Sequence, residues 1–197
     1  MRHKTKTSRI LLTLAALGFF IWFGGSVIRT AVAYDLFEPG SALTIKSYYS
    51  DLQKMETVRL FAVGALYTDI AYGVALVSSI ILCAYWKQYL KKRGWLFMAF
   101  VLVFISAPIE LVLIYLDMEL NLGLYFGNEL IKFTDNVVNN YFMFRFTKMA
   151  IPSAMSFLAF ITAIIFIVWR PLDKSKKEYE PNEWDDDVND YEVENEA

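Results

Sequence analysis

One cysteine and one histidine in 197 residues remove whole classes of chemistry. Cys83 alone forms neither an internal disulfide nor a Cys-x-x-Cys pair, which excludes thiol-oxidase chemistry. His3 lies in the basic N-terminus, so no pair of intramembrane histidines is there for a haem and no His-rich set for a metal. Walker loops, GxGxxG and the GxSxG elbow are missing as well. No cofactor is expected, and no nucleic-acid module is visible.

Charge is the second scarcity, and it is local. Four runs are long and apolar enough to cross a bilayer, which takes about 20 residues at roughly 1.5 Å each. They are Ile10 to Ile28, Leu60 to Trp86 broken by Asp69, Trp95 to Leu116 broken by Glu110, and Met149 to Trp169 with no charge at all. With 56% hydrophobic residues and a mean hydropathy of +0.36, the chain reads as an all-α integral membrane protein, a four-transmembrane-helix bundle. The divisions are a basic N-terminus (1–9), a membrane domain (10–170) with spans over about 10–33, 58–86, 95–117 and 148–169, and a tail (171–197).

Basic residues set the orientation. Arg2, Lys4, Lys6 and Arg9 precede the first span, Lys87, Lys91, Lys92 and Arg93 join the second to the third, and Arg170, Lys174, Lys176 and Lys177 follow the fourth. The two longer connections, Tyr34 to Arg59 and Asp117 to Lys148, hold six basic residues against eight acids. The positive-inside rule then places both termini in the cytoplasm, in a plasma (inner) membrane, with the two longer connections outside. Trp86, Trp95 and Trp169 fall at inner interfaces, where an aromatic belt is expected. The first span also carries features of a secretory signal, with a small-residue "AVA" at Ala31 to Ala33. Its nineteen uncharged residues exceed the usual apolar region of about 7 to 15, and Arg29 intervenes, so an uncleaved anchor is the preferred reading.

Three other segments carry local signals. From Glu178 to Ala197 the sequence "EYEPNEWDDDVNDYEVENEA" has ten acids and no Lys or Arg, which predicts a disordered tail, either solvating or a docking peptide anchored by Trp184 and Tyr191. Ser50 with Gln53 three residues on has capping-box spacing, so the second helix should begin outside the membrane. In the second outer loop Leu130, Phe133, Val137, Tyr141 and Phe144 fall at helical spacing opposite Glu129, Lys132, Asp135, Asn136, Asn139 and Asn140. That pattern fits either an interfacial helix on the outer leaflet or a helix packed over the bundle.

The ionisable residues inside the spans converge on one depth. Glu110 lies about 22 Å along the third span, in the outer half of a core about 30 Å thick. Ser106 is four residues before it and Asp117 seven after, along one helix face, while Pro108 frees a backbone carbonyl nearby. Asp69, with Tyr67 and Tyr72 beside it, Arg29 on a face with Gly18, Trp22 and Gly25, and Ser153 and Ser156 reach similar depth on the other helices. The inner halves have nothing ionisable. A charge at such depth costs at least about 2.5 kcal/mol and should face protein or water.

Two readings of this cluster stand open: an ion pair of Arg29 with Glu110 or Asp69 that holds helices together, or an outer-half ligand or proton site. Three function classes follow. The first is a non-catalytic accessory or structural subunit of a membrane complex, or a homo-oligomer, with an outer polar pocket for a lipid or quinone-like molecule. The second is a small proton-coupled transporter titrating Glu110 or Asp69. The third is a hydrolase with Asp69 and Glu110 as a carboxylate pair. Whatever the function, cysteines introduced at Ser47 and Asn139 should react from outside intact cells with a membrane-impermeant reagent, and one at Lys91 should not. Labelling at Lys91 would end the four-span, termini-inside topology.

Overall fold

A computed structural model describes residues 2–126 and 132–171, with side chains from residue 6. The acidic tail from Glu178, and Glu129 and Leu130 of the second outer loop, lie outside the described residues. The described chain is helical throughout apart from its connections. In order come α1 (Arg2–Tyr34), α2 (Asp51–Tyr85), α3 (Lys87–Lys92), α4 (Gly94–Phe126), a π-helical turn (Val138–Met143), α5 (Phe144–Thr147) and α6 (Ala150–Trp169). α1, α2, α4 and α6 are the four helices long and apolar enough to cross a membrane.

Local chemistry fixes the helix ends. Ser50 caps α2: its Oγ accepts from the Gln53 N–H at 3.3 Å, and the Gln53 side chain accepts from the Ser50 N–H at 2.9 Å, so two otherwise orphaned donors are satisfied. Between α1 and α2, an antiparallel bridge of Phe37 with Ile45 folds the connection back on itself, with Gly40 at φ +76° in the bend. A surface triad ties this loop down: Lys46 Nζ donates to Asp35 at 2.8 Å and Tyr49 Oη donates to Asp35 at 2.7 Å. The hydrogen bond from Lys46 holds the Asp35 carboxyl below the usual carboxylate range, and the Asp35 carboxylate in turn raises both Lys46 and Tyr49.

The helices associate as two pairs. α1 packs along most of α2, and α4 along α6; the pairs meet chiefly where α2 faces α4. Small residues allow the first of these approaches. A Cβ on Gly18 would stand 2.7 Å from the Ala71 carbonyl oxygen, and one on Gly25 would stand 2.5 Å from Thr68 Cγ2, whereas Gly24 has open space. Two backbones come this close in an apolar medium only where side chains are absent.

Four layers succeed one another down the bundle. At the predicted outer end, Ala33, Leu36, Val58, Phe61, Leu120 and Phe142 belong to an apolar cap built from the ends of α1, α2 and α4 and the segment Val138–Thr147. Below it lies a layer of charges. Then comes an aromatic layer in which Trp22 is ringed by Tyr72, Phe157 and Phe160 at centroid distances of 5.2, 5.6 and 5.3 Å. The fourth layer, between the inner halves of all four helices, is an apolar cavity of about 360 Å³. Large apolar side chains such as Ile28, Ile70, Ile105 and Ile151 point outward, as a lipid-facing surface requires.

Two features depart from the sequence pattern. α4 does not stop near Asp117 but continues to Phe126, because Asp117 is neutralised inside the bundle and the following turns bury Leu120 and Asn121. In the second outer loop Phe133 is buried as expected, but beyond it the buried side chains are Val138, Phe142, Arg145 and Phe146, with Val137 and Tyr141 half-buried and Phe144 exposed. The expected stripe assumed 3.6 residues per turn, and the π-helical turn, with its wider i to i+5 bonding, displaces the inward face. The segment packs on the bundle through Phe142 and Phe146 against Phe61.

Candidate functional site: a buried charge layer

The charge layer is built on a repeat of seven. On α1, Trp22 and Arg29 are two turns apart on one face; on α4, so are Glu110 and Asp117. The two helices run parallel, and the side chains join in that same register. Trp22 Nε1 donates to Glu110 Oε2 at 3.2 Å, and Arg29 Nη1 donates to Asp117 Oδ2 at 2.6 Å. These two rungs bridge the α1–α2 pair to the α4–α6 pair, about 10 Å apart along the axis.

Asp117 has a second cationic partner. Arg145, on α5, donates from Nη1 to the same Oδ2 at 2.8 Å and to the Leu113 carbonyl at 3.1 Å. Both guanidinium groups lie over the Phe61 ring, at 4.9 Å for Arg29 and 5.6 Å for Arg145, so the apolar cap supplies a π face to the charges beneath it. Arg29, Arg145 and Asp117 are all buried; the Asp117 side chain is 2% exposed. Asn121, one turn beyond, donates to the Asp117 carbonyl at 2.9 Å and to the Ala62 carbonyl at 3.0 Å, tying α4 to α2 at the same level.

Asp69 is held more loosely. Its Oδ1 is 3.9 Å from Arg29 Nη2, an ion pair by distance without a hydrogen bond. Five further buried polar atoms have no hydrogen-bond partner within the described protein: Ser26 Oγ, Arg29 Nε, Tyr72 Oη, Asn121 Oδ1 and Ser156 Oγ. Ser156, fully buried on α6, stands beside Glu110 without regular hydrogen-bond geometry.

The expected site residues therefore divide. Arg29, Asp69, Glu110, Asp117, Tyr72 and Ser156 come together. Ser106 faces inward on α4 but bonds its own helix, donating to the Val103 carbonyl at 3.0 Å, and Ser153 is only half-buried. Tyr67 is excluded: it is 70% exposed, because Ala65, Thr68 and Tyr72 take the inward face of α2 and position 67 is turned about 100° away from Thr68. Of the two expected partners of Arg29, Asp69 stands at ion-pair distance, 3.9 Å, whereas no ion pair with Glu110 occurs among the described residues. Arg29 bonds Asp117, the carboxylate in register with it, while Glu110 takes the indole of Trp22.

Two participants were not foreseen. Arg145 reads by position as a loop charge; its placement in "YFMFRFTK", flanked by Phe144 and Phe146, is the signal that this arginine is packed rather than solvated. Trp22 shares the Arg29 face of α1, and a buried indole N–H requires an acceptor, which points to the nearest carboxylate. The charge balance changes accordingly, to three carboxylates facing two guanidinium groups. The cavity described lies in the predicted inner half and is apolar.

No group of three or more His, Cys, Asp or Glu arranged to hold a metal occurs among the described residues. No protein-family model matches the chain, and no curated protein or solved structure matches it.

Breaking this site should be strongly position-dependent. Asp117→Asn removes the carboxylate that two buried arginines share and should lower stability by roughly 3 to 5 kcal/mol, the range for a buried pair that loses one partner. Asp69→Asn and Glu110→Gln should each cost much less, since neither carboxylate accepts a bond from a guanidinium. Thermal unfolding of the three variants in one detergent tests the ranking. An Asp69→Asn variant less stable than Asp117→Asn would reverse it.

Proposed function

We propose that the protein is a non-catalytic, multi-pass subunit of a membrane assembly, with both termini in the cytoplasm and its outer half acting as a rigid, charge-locked head. The observation that carries this reading is that Asp117 accepts from both Arg29 and Arg145 while Glu110 accepts from Trp22. The strongest polar groups of the bundle are committed to one another, in a geometry that fixes helices instead of gripping a substrate. The outer surface is shaped to match. The loop closed by Asp35, Lys46 and Tyr49 and the packed Val138–Thr147 segment form a structured face above the helices, suited to contact with another protein.

The same geometry gives a hydrolase little support. A catalytic carboxylate pair needs mutual hydrogen-bond reach and no neutralising base, whereas Arg29 stands 3.9 Å from Asp69 and Glu110 accepts from Trp22. Proton-coupled transport has one observation in its favour, the Asp69 Oδ1 and Tyr72 Oη left without hydrogen bonds in the charge layer. Against it, the inner half is lined by apolar side chains with no ionisable relay.

Isolation of the full chain from its own membranes in mild detergent, followed by mass spectrometry of what accompanies it, separates these readings. The subunit reading predicts a membrane protein, or a second copy of this chain, in fixed stoichiometry. A chain that isolates alone as a monomer and drives proton-dependent uptake in vesicles, lost in Asp69→Asn, would replace it with the transporter reading.

A further inference from the structure

The inner-half cavity differs from the charge layer in every respect. Side chains such as Ala15, Leu82, Ala99, Val103, Ala163 and Ile164 line it, and Ser79 and the indole of Trp86 are its only polar lining groups. Trp86 is already engaged, donating from Nε1 to Ser8 Oγ at 2.7 Å. The cavity is about 360 Å³, inside the roughly 300–1,000 Å³ range of ligand sites, and one side of it is open. Its α1 wall runs from Leu12 to Phe23, a rise of about 16 Å, which is close to half of a hydrocarbon core about 30 Å thick. It therefore has the depth of one leaflet, from Trp86 at the predicted inner interface up to the aromatic layer.

The rim supplies a charge of one sign. Lys6 and Arg9 on α1, Lys87, Lys91 and Lys92 on α3, and Arg93 beside it surround the inner ends, and Arg170 lies over the Trp95 ring at 5.3 Å. No Asp or Glu occurs among the described residues of these ends. An apolar slot one leaflet deep under a basic rim fits an amphiphile with an apolar chain and an anionic head. Water is a poor occupant, since a cavity with so few polar partners does not hold it.

We propose that this cavity is a lipid site that takes one acyl chain of an anionic phospholipid of the inner leaflet, with the headgroup on the basic rim. The site rests on the four-span reading and stands independently of the subunit role. It also places lipid recognition in the half of the bundle where the helix pairs are not joined by the polar rungs, so the chain fills space that protein side chains leave open.

The test uses the full chain in vesicles of phosphatidylcholine containing a small fraction of either phosphatidylglycerol or phosphatidylcholine that carries a diazirine midway along one acyl chain. Crosslinks mapped by mass spectrometry should concentrate on Ala99, Val103 and Ala163 with the anionic probe, several-fold above the outward-facing Ile70 and Ile105. The double variant Arg93→Gln, Arg170→Gln should remove that preference while leaving the helical spectrum unchanged. Ala163→Phe, which fills the slot, should abolish the interior crosslinks. Labelling confined to Ile70, Ile105 and other outward positions would overturn the proposal, as would interior labelling that is equal for the two headgroups. The wild-type map alone decides the matter if the filled variant does not fold.

Discussion

Oδ2 of Asp117 accepts from Arg29 on α1 and from Arg145 on α5, and the rest of the arrangement depends on that shared acceptor. Two guanidinium groups in a low-dielectric interior are tolerable only with a counter-charge in contact. Asp117 supplies it at one point, so α1, α4 and α5 must meet there. Everything above that point, from Phe61 to Phe142, is packed by apolar contact onto the helix ends the charges have fixed. Everything below it, beginning with Trp22 and Glu110, follows from the same register two turns further along both helices.

This gives the bundle an asymmetry with a physical cause. The α1–α2 pair is held by small residues in close contact, and the α4–α6 pair by its own packing, but among the described residues the polar rungs between the pairs lie in the predicted outer half. In lipid there is no hydrophobic drive to close helices that already sit in an apolar medium, so dispersion and hydrogen bonds decide where they join. The predicted outer half has both, with indole, phenol and phenyl rings packed in tilted and edge-on contacts beneath the charges. The inner half has neither in sufficient amount, and a cavity remains there.

Much of this was legible before the fold was known, and the reasons are specific. The four spans follow from apolar runs that only a membrane accommodates, and the α2 start from Ser50 and Gln53. The inward faces of α1 and α4 were readable because Gly18, Trp22, Gly25 and Arg29 recur at helical spacing, as do Ser106, Glu110 and Asp117. Which charge meets which was not readable. Arg29 could have faced any of three carboxylates, and the choice depends on the parallel register of two helices separated by a third. Arg145 escaped because it reads only as one of the basic residues of its connection, and the π-helical turn just before α5 shifts the face that turns inward. The inner cavity escaped for a different reason, since no sequence pattern distinguishes an apolar residue packed on a neighbour from one lining a gap.

A charge-locked half of the bundle beside a half with a cavity is the arrangement that the proposed subunit role would use. It also makes Asp117 the position where that arrangement is most exposed to test. The direct measurement is a double-mutant cycle of Arg29→Met and Asp117→Leu, read by unfolding of the full chain in one detergent. The shared-acceptor account predicts that the double variant loses less stability than the sum of the single losses, by roughly 0.5 to 3 kcal/mol, because Asp117→Leu alone strands two buried arginines and the double change leaves only Arg145 stranded. Losses that simply add would contradict it, and would mean that Arg29 and Asp117 do not hold the bundle through each other.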